Sequence, residues 1–260
     1  MSDLLAHVEG IWQAVVPQLP DFTVEVLPAI DSTNTELMRR ARSGPLAPVL
    51  LVAEAQTAGR GRMGKGWHSR AGQSLTFSLA LPLAPASWSG LSLAVGVSLA
   101  ESLHPELRLK WPNDLWWQQR KLGGILVETA GSGDGAAGPR TVVIGVGINI
   151  ARPADAAVAG SPAAMAPAGL AELHMGITVG EALARVAPAL VRGVLRFEAE
   201  GFAAFADRFA RRDALRGLPL RLSDGREGTG AGVDAGGSLL LQTPQGRIVV
   251  TSSEVSVRPC

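Results

Sequence analysis

Between residues 107 and 150 the chain crowds four β-rich runs, LRLKW at 107–111, DLWW at 114–117, GILVET at 124–129 and TVVIGVGINI at 141–150, separated by short polar breaks. So many neighbouring strands with only occasional helices point to an α+β fold, a mixed sheet covered by helices, rather than a strictly alternating parallel one. Upstream, FTVEVL at 22–27, VLLVAE at 49–54 and SLTFSLAL at 74–81 read as further strands. A short helix is expected over 34–42, opened by Asp31-Ser32-Thr33-Asn34, and a buried one over 91–103. Thr178 and Glu181 form a capping box, and Val179, Leu183, Val186, Leu190, Val194 and Phe197 recur at helical spacing, with Pro188 a candidate kink. Gly201 ends that helix, and Phe202, Phe205 and Phe209 mark the stripe of a shorter one. Residues 151–176, rich in Ala, Pro and Gly, are expected to form a surface loop with partial helix.

From Gly217 the texture changes to short strands with Asp-Gly and Gln-Gly turns, a run of hairpins that suggests a small closed β-barrel. So small a unit is stable only if it docks on the main domain. The boundary falls near 213–217, giving residues 1–213 and 214–260.

With 260 residues, 47% hydrophobic and 18% charged, the composition is that of a folded globular chain with a sizeable core. A net charge of +1 supplies no global field to draw it onto nucleic acid or an anionic membrane, so any basic site is local. Cys260 is the sole cysteine, which excludes an internal disulfide and a cysteine-based metal cluster, and the four histidines show no paired metal-binding spacing. Asp3, His7 and Glu9 interrupt the N-terminal apolar stretch, unlike a signal peptide, and no run is long enough for a membrane span. The expectation is a cytoplasmic protein.

Residues 59–67, GRGRMGKGW, directly follow a strand and lie in a stretch from 55 to 100 without a single Asp or Glu. Four glycines free the backbone to turn N–H groups toward a ligand, while Arg60, Arg62 and Lys65 supply charge, a chemistry suited to phosphates or a carboxylate. Gly59, Gly61 and Gly64 satisfy the dinucleotide-binding spacing, yet the following residues do not open a helix and no acid follows about 20 residues on. Gly66 stands where a P-loop needs Ser or Thr to hold Mg²⁺. An Arg-Gly segment binding RNA is a third reading, given little weight by one short loop in a nearly neutral chain.

The other polar islands each have a structural explanation beside a functional one. Thr33 with Glu36 matches a capping box. KWPND at 110–114 is a proline turn, or a strand end that presents Asn113 and Asp114 to Mg²⁺ and phosphate oxygens. Lys121 is an edge lysine or an active one, and GVGIN at 145–149 could be a glycine-bulged strand with Asn149 in its turn.

In combination, DSTN at 31–34, QTAGRGR at 56–62, Trp67, KWPND at 110–114, KLGGILVE at 121–128 and GVGIN at 145–149 closely resemble the biotin protein ligases. The likeness runs from about residue 22 to the end and implies a class II synthetase-like catalytic domain followed by an SH3-like barrel. It implies ATP-dependent activation of biotin to biotinyl-5′-AMP with release of pyrophosphate, then transfer to a lysine of a biotin carboxyl carrier protein. By the same resemblance Ser32, Thr33, Asn34 and Gln56 would bind the biotin ring, and Arg60, Gly61, Arg62 and Lys121 the carboxylate and α-phosphate. Arg60, Arg62 and Lys121 would be catalytic. Arg62, Lys65, Trp67, Asn113, Asp114 and Asn149 would serve ATP, with Trp67 and Asn149 at the adenine and Asp114 at Mg²⁺. A loop that orders over the intermediate would exclude water. Met63 and Lys65 stand where the family's loop often has arginines, and Lys65 keeps the charge without the planar fork. Only 21 residues precede the first strand, too few for a winged helix-turn-helix, so DNA operator binding is not expected. Lipoate ligases are the nearest rival, with a different signature loop, and monomer and homodimer both stay open.

Overall fold

The computed structural model describes residues 3–131, 138–153, 167–251 and 257–259. A seven-stranded sheet forms its centre, built from β1 (Thr23–Ile30), β2 (Val49–Gln56), β5 (Ser74–Leu83), β6 (Arg108–Lys110), β7 (Asp114–Trp117), β8 (Arg120–Ala130) and β9 (Arg140–Asn149) in the order β1-β2-β5-β9-β8-β7-β6. β1 and β2 run parallel and every other pair in this sheet is antiparallel, which is the mixed sheet expected. β3 (Gly59–Arg60) and β4 (Gly66–Trp67) form a separate two-stranded ribbon.

The period-2 alternation of strands divides the sheet into two faces. Leu75, Phe77, Leu79 and Leu81 of β5, with Val142, Ile144, Val146 and Ile148 of β9, join the main apolar core. That core is roofed by α3 (Leu91–Leu103) and α4 (Val179–Glu200). Thr178 caps α4 through the capping box with Glu181, Pro188 lies inside the helix, and Gly201 ends it. α1 (Val8–Val15) packs on α4 through Ile11 and Val15 and has no counterpart among the sequence expectations. The Phe202 stripe is a 3₁₀ turn, Phe202–Phe205, running into α5 (Ala206–Ala210).

The opposite face carries α2 (Thr33–Ser43) over a small core of Leu37, Met38, Val49, Leu51, Ala80, Ala130 and Val143. Beside that patch the in-between residues of β5 and β9 are polar or small: Thr76, Ser78, Gly145 and Gly147. β9 keeps continuous register with β5 from Arg140 to Asn149, so no bulge forms at GVGIN. Residues 154–166, in the expected Ala/Pro/Gly loop, lie outside the described residues, and a 3₁₀ turn at Leu170–Glu172 supplies its partial helix.

Toward the C-terminus β10 (Pro219–Leu222), β11 (Glu227–Val233), β12 (Leu239–Thr243), β13 (Gly246–Val250) and β14 (Val257–Pro259) make an antiparallel sheet in the order β13-β12-β11-β10-β14. This small five-stranded antiparallel sheet is consistent with the SH3-like unit expected at the C-terminus. Leu220, Leu222, Leu239, Leu241, Val250 and Val257 belong to the same apolar cluster as the main domain. Trp111 Nε1 donates to the Gly237 carbonyl at 3.0 Å, and Ser89 Oγ to that of Gly236 at 2.6 Å. Sharing one core answers the size problem, since so small a sheet buries too little apolar area alone.

Candidate active site

The polar half of the sheet, the start of α2 and the β3–β4 ribbon enclose a pocket of about 200 Å³. Its floor is a buried hydrogen-bond chain. Thr33 donates to Gln56 Oε1 twice, from its backbone N–H at 2.8 Å and its hydroxyl at 3.1 Å. With Oε1 so occupied, Gln56 turns its Nε2 toward the side of Gly59, so the amide offers donors to a ligand. The Thr33 and Ser78 hydroxyls lie 2.8 Å apart, Ser78 donates to Asn34 Oδ1 at 3.1 Å, and Asn34 Nδ2 donates to Glu128 Oε2 at 2.5 Å. Gly145 makes this possible, because a Cβ there would come within 2.5 Å of Asn34 Oδ1.

α2 begins one residue earlier than the capping-box reading has it. Ser32 is the N-cap and accepts from the Thr35 N–H at 3.4 Å, which releases the Thr33 hydroxyl to the floor. Glu36 pairs with Arg39 and Arg40 instead of closing a box.

The ribbon forms the opposite wall. Gly59 pairs with Trp67 and Arg60 with Gly66, and a Cβ at Gly59 would meet the Trp67 carbonyl at 2.4 Å. Met63 (φ 56°) and Gly64 (φ 71°) are both left-handed, and Lys65 N–H bonds back to the Arg62 carbonyl at 3.2 Å, the signature of a type I′ turn. No helix follows, so the glycine loop is neither a dinucleotide fingerprint nor a P-loop. The Trp67 ring lies on Gly147, where a Cβ would come within 2.4 Å of it, and its buried Nε1 has no partner among the described residues.

Cations line the remaining side. β7 and β8 pair antiparallel and bring Asp114 beside Lys121, with Nζ 2.7 Å from Oδ1. Lys110 approaches Oδ2 at 3.7 Å and sits over the Trp116 ring at 5.2 Å. Burial pushes the Lys110 ammonium below its ordinary pKa; Asp114 opposes that shift, and Lys121 and Lys65 add to it. Burial likewise lowers Arg62, again against the pull of Asp114. Arg60 faces Glu128 Oε1 at 3.7 Å. One carboxylate among Lys110, Lys121, Arg62 and Lys65 leaves a positive surplus suited to carboxylate and phosphate oxygens.

Of the sequence-nominated residues, Ser32, Thr33, Asn34, Gln56, Arg60, Gly61, Arg62, Lys65, Trp67, Asn113, Asp114 and Lys121 all line this pocket. Asn149 does not. It is 5% exposed and its amide donates to the Ala168 carbonyl at 3.1 Å. Asn113 uses its amide N–H on the Ile125 carbonyl at 2.8 Å. Lys110, Ser78 and, from the C-terminal sheet, Val257 join the lining without having been nominated, and Glu128 stands behind it, in contact with Asn34 and Arg60.

A family model described as the biotin/lipoate A/B protein ligase family matches residues 26–149. The chain is 37% identical over 242 residues to the bifunctional ligase/repressor BirA of Escherichia coli, covering 88% of this chain and 72% of that one. It is 34% identical over 241 residues to the biotin--[acetyl-CoA-carboxylase] ligase of Paracoccus denitrificans, covering 88% of this chain and 98% of that protein. The chain belongs to the biotin/lipoate A/B protein ligase family. Among solved structures, a biotin protein ligase from Aquifex aeolicus in complex with biotin and ATP superposes with a TM-score of 0.74 at 27% identity, over 91% of this family member and 99% of that chain. The α+β fold with its small C-terminal sheet is thus the fold of a biotin protein ligase.

Proposed function

We propose that this family member is an ATP-dependent biotin protein ligase. The observation that carries the reading is one pocket holding an uncharged, donor-rich floor next to a surplus of cations. A ureido ring offers one carbonyl acceptor and two N–H donors, which the Thr33, Ser78, Asn34 and Gln56 groups can match without charge. The cationic side suits the two anions that must meet. A carboxylate oxygen of biotin attacks the α-phosphorus of ATP, an O–P bond forms, the α–β bridge breaks and pyrophosphate leaves. The carrier lysine's amine then attacks the acyl carbon, a C–N bond forms, AMP leaves, and the amine's proton passes to solvent. Lys121, Arg60 and Arg62 would neutralise the crowding oxygens, so catalysis is mainly positioning and electrostatics.

Among the described residues no group of three or more His, Cys, Asp or Glu could cage a metal. Asp114 is a single carboxylate shared with two lysines, a donor set that suits Mg²⁺ arriving on ATP, which needs one or two protein oxygens besides phosphate. Trp67 would contact the adenine. Asn149 would act on the nucleotide through the strand end it fixes to Ala168. β1, an edge strand of the large sheet among the described residues, would offer its outer backbone groups to a carrier or to a second copy. No helix among the described residues is long and apolar enough to cross a membrane, and the compartment we assign is the cytoplasm.

The test is ATP–pyrophosphate exchange with biotin or lipoate as the acid, followed by addition of a biotin carboxyl carrier domain. Exchange that requires biotin and a mass gain on the carrier are the expected results. Exchange with lipoate alone would move the assignment to the other branch of the family.

A further inference from the structure

Glu128 belongs to no binding group named so far and does not line the pocket itself, yet each of its two oxygens meets a residue that does, Asn34 and Arg60. It projects from β8 on the same face as Leu126, which pairs with Gly145, and that row of the sheet continues to Ser78. One carboxylate oxygen accepts from Asn34 Nδ2 at 2.5 Å, and the other faces Arg60 Nη2 at 3.7 Å. Asn34 is 3% exposed and its other end is held by Ser78, so its orientation depends on having an acceptor at Glu128. The chain of contacts therefore runs from Arg60 through Glu128, Asn34, Ser78 and Thr33 to Gln56, from the ribbon to the far end of the floor.

We infer that Glu128 is a positioning residue for the activation step, setting the ring-binding floor through Asn34 and the carboxylate-binding arginine through Arg60 with its two oxygens. The inference rests on the ligase reading above. The two oxygens separate the two effects. Glu128→Gln keeps an oxygen acceptor for Asn34 but removes the charge that faces Arg60. Glu128→Ala removes both and leaves the buried Asn34 amide without an acceptor.

The experiment measures biotin binding by calorimetry without ATP, then steady-state exchange kinetics, for wild type and both variants, each checked for folding by its thermal transition. E128A is expected to weaken biotin binding about tenfold, the scale of losing a hydrogen bond to a charged group. E128Q is expected to hold biotin within about twofold of wild type while its kcat for exchange falls about threefold, the scale of a half-exposed ion pair. A structural role alone would move the thermal transition and leave this split between affinity and turnover unseen. Wild-type biotin affinity in E128A, or loss of affinity in E128Q equal to that in E128A, would overturn the inference. Should E128A not fold, E128Q decides: an unchanged kcat overturns it, and a lowered kcat at unchanged biotin affinity supports it. Failure of the wild type to bind biotin would count against the ligase reading instead.

Discussion

On the floor of the pocket Ser32, Thr33, Asn34 and Ser78 are each no more than 3% exposed, whereas at the ribbon's tip Met63 is 61% exposed and the Arg60 side chain is half exposed. The floor's groups already satisfy one another, so a ligand meets donors whose directions are fixed by a strand, a helix start and a glycine that leaves room for Asn34. The ribbon has two paired positions, one type I′ turn and a single aromatic anchor on Gly147. Recognition of a neutral ring is thus built into the scaffold, as are Lys110 and Lys121, whereas Arg60, Arg62 and Lys65 are carried on a small element with little burial to hold it. Local opening costs least where few apolar contacts resist it. A site that must admit two anions, hold a reactive anhydride and then admit an amine benefits from having some of its cations on the part that can open.

The largest effect that tests this division comes from Lys121→Ala. Lys121 stands on the sheet, 2.7 Å from Asp114, and not on the ribbon. Its loss should lower kcat for exchange by about 10²–10³-fold, the usual range for removing one preorganised group from developing charge, with biotin affinity nearly intact. An unchanged rate would place the essential cations on the ribbon alone. Gly147→Ala should come next. A Cβ there would overlap the Trp67 ring, and overpacking of this kind costs about 2 kcal/mol, or about thirtyfold in an equilibrium. The expected result is a raised KM for ATP with biotin binding unchanged. Equal damage to both would mean that floor and ribbon are one cooperative unit.

Much of this arrangement was legible in the residues. The α4 stripe follows from its helical period, and the helix over 91–103 and the central strands from apolar runs long enough to be buried nearly all round. What escaped has a physical reason. Ser78 lies at an outward-reading position of an alternating strand, and nothing local says that α2 covers that face. Glu128 meets Asn34 across 94 positions of sequence, a contact that only the sheet order creates. The Thr33–Glu36 box misled because Arg39 and Arg40 outbid the backbone for Glu36, and Ser32 took the cap. α1 is short, with Ile11 and Val15 its buried positions, too few to stand out from an N-terminal stretch that already looked apolar.

Lys110→Met sharpens the electrostatic side of the comparison at a smaller scale. Burial lowers the Lys110 pKa, so the folded state holds its proton less tightly than the unfolded chain does. For a lysine this means that the charged form costs stability below its folded pKa and that the cost fades as pH rises toward the unfolded value. Methionine removes that cost while keeping the contact with Trp116, so the variant should melt higher at pH 7, and the gain should shrink at pH 10. Exchange should fall about fivefold, as one cation among several is lost. A variant that loses stability at pH 7 would show that the Asp114 contact outweighs burial.

The smallest effect concerns the ribbon itself. Met63 occupies the first central position of a type I′ turn at φ 56°, a region that costs a residue with a Cβ about 1 kcal/mol relative to glycine. Met63→Gly removes this strain but gives the unfolded chain more freedom, worth about 0.5–1 kcal/mol in the other direction. The two nearly cancel, and the side chain has little packing to lose, so the melting temperature should move by less than about 2 °C. The change should be visible only locally, as slower amide exchange at Gly61 and Lys65, whose N–H groups bond across the turn to the Lys65 and Arg62 carbonyls. A drop of more than about 4 °C would mean that the ribbon is part of the cooperative core, and the contrast between a fixed floor and a loosely held cationic wall would fall with it.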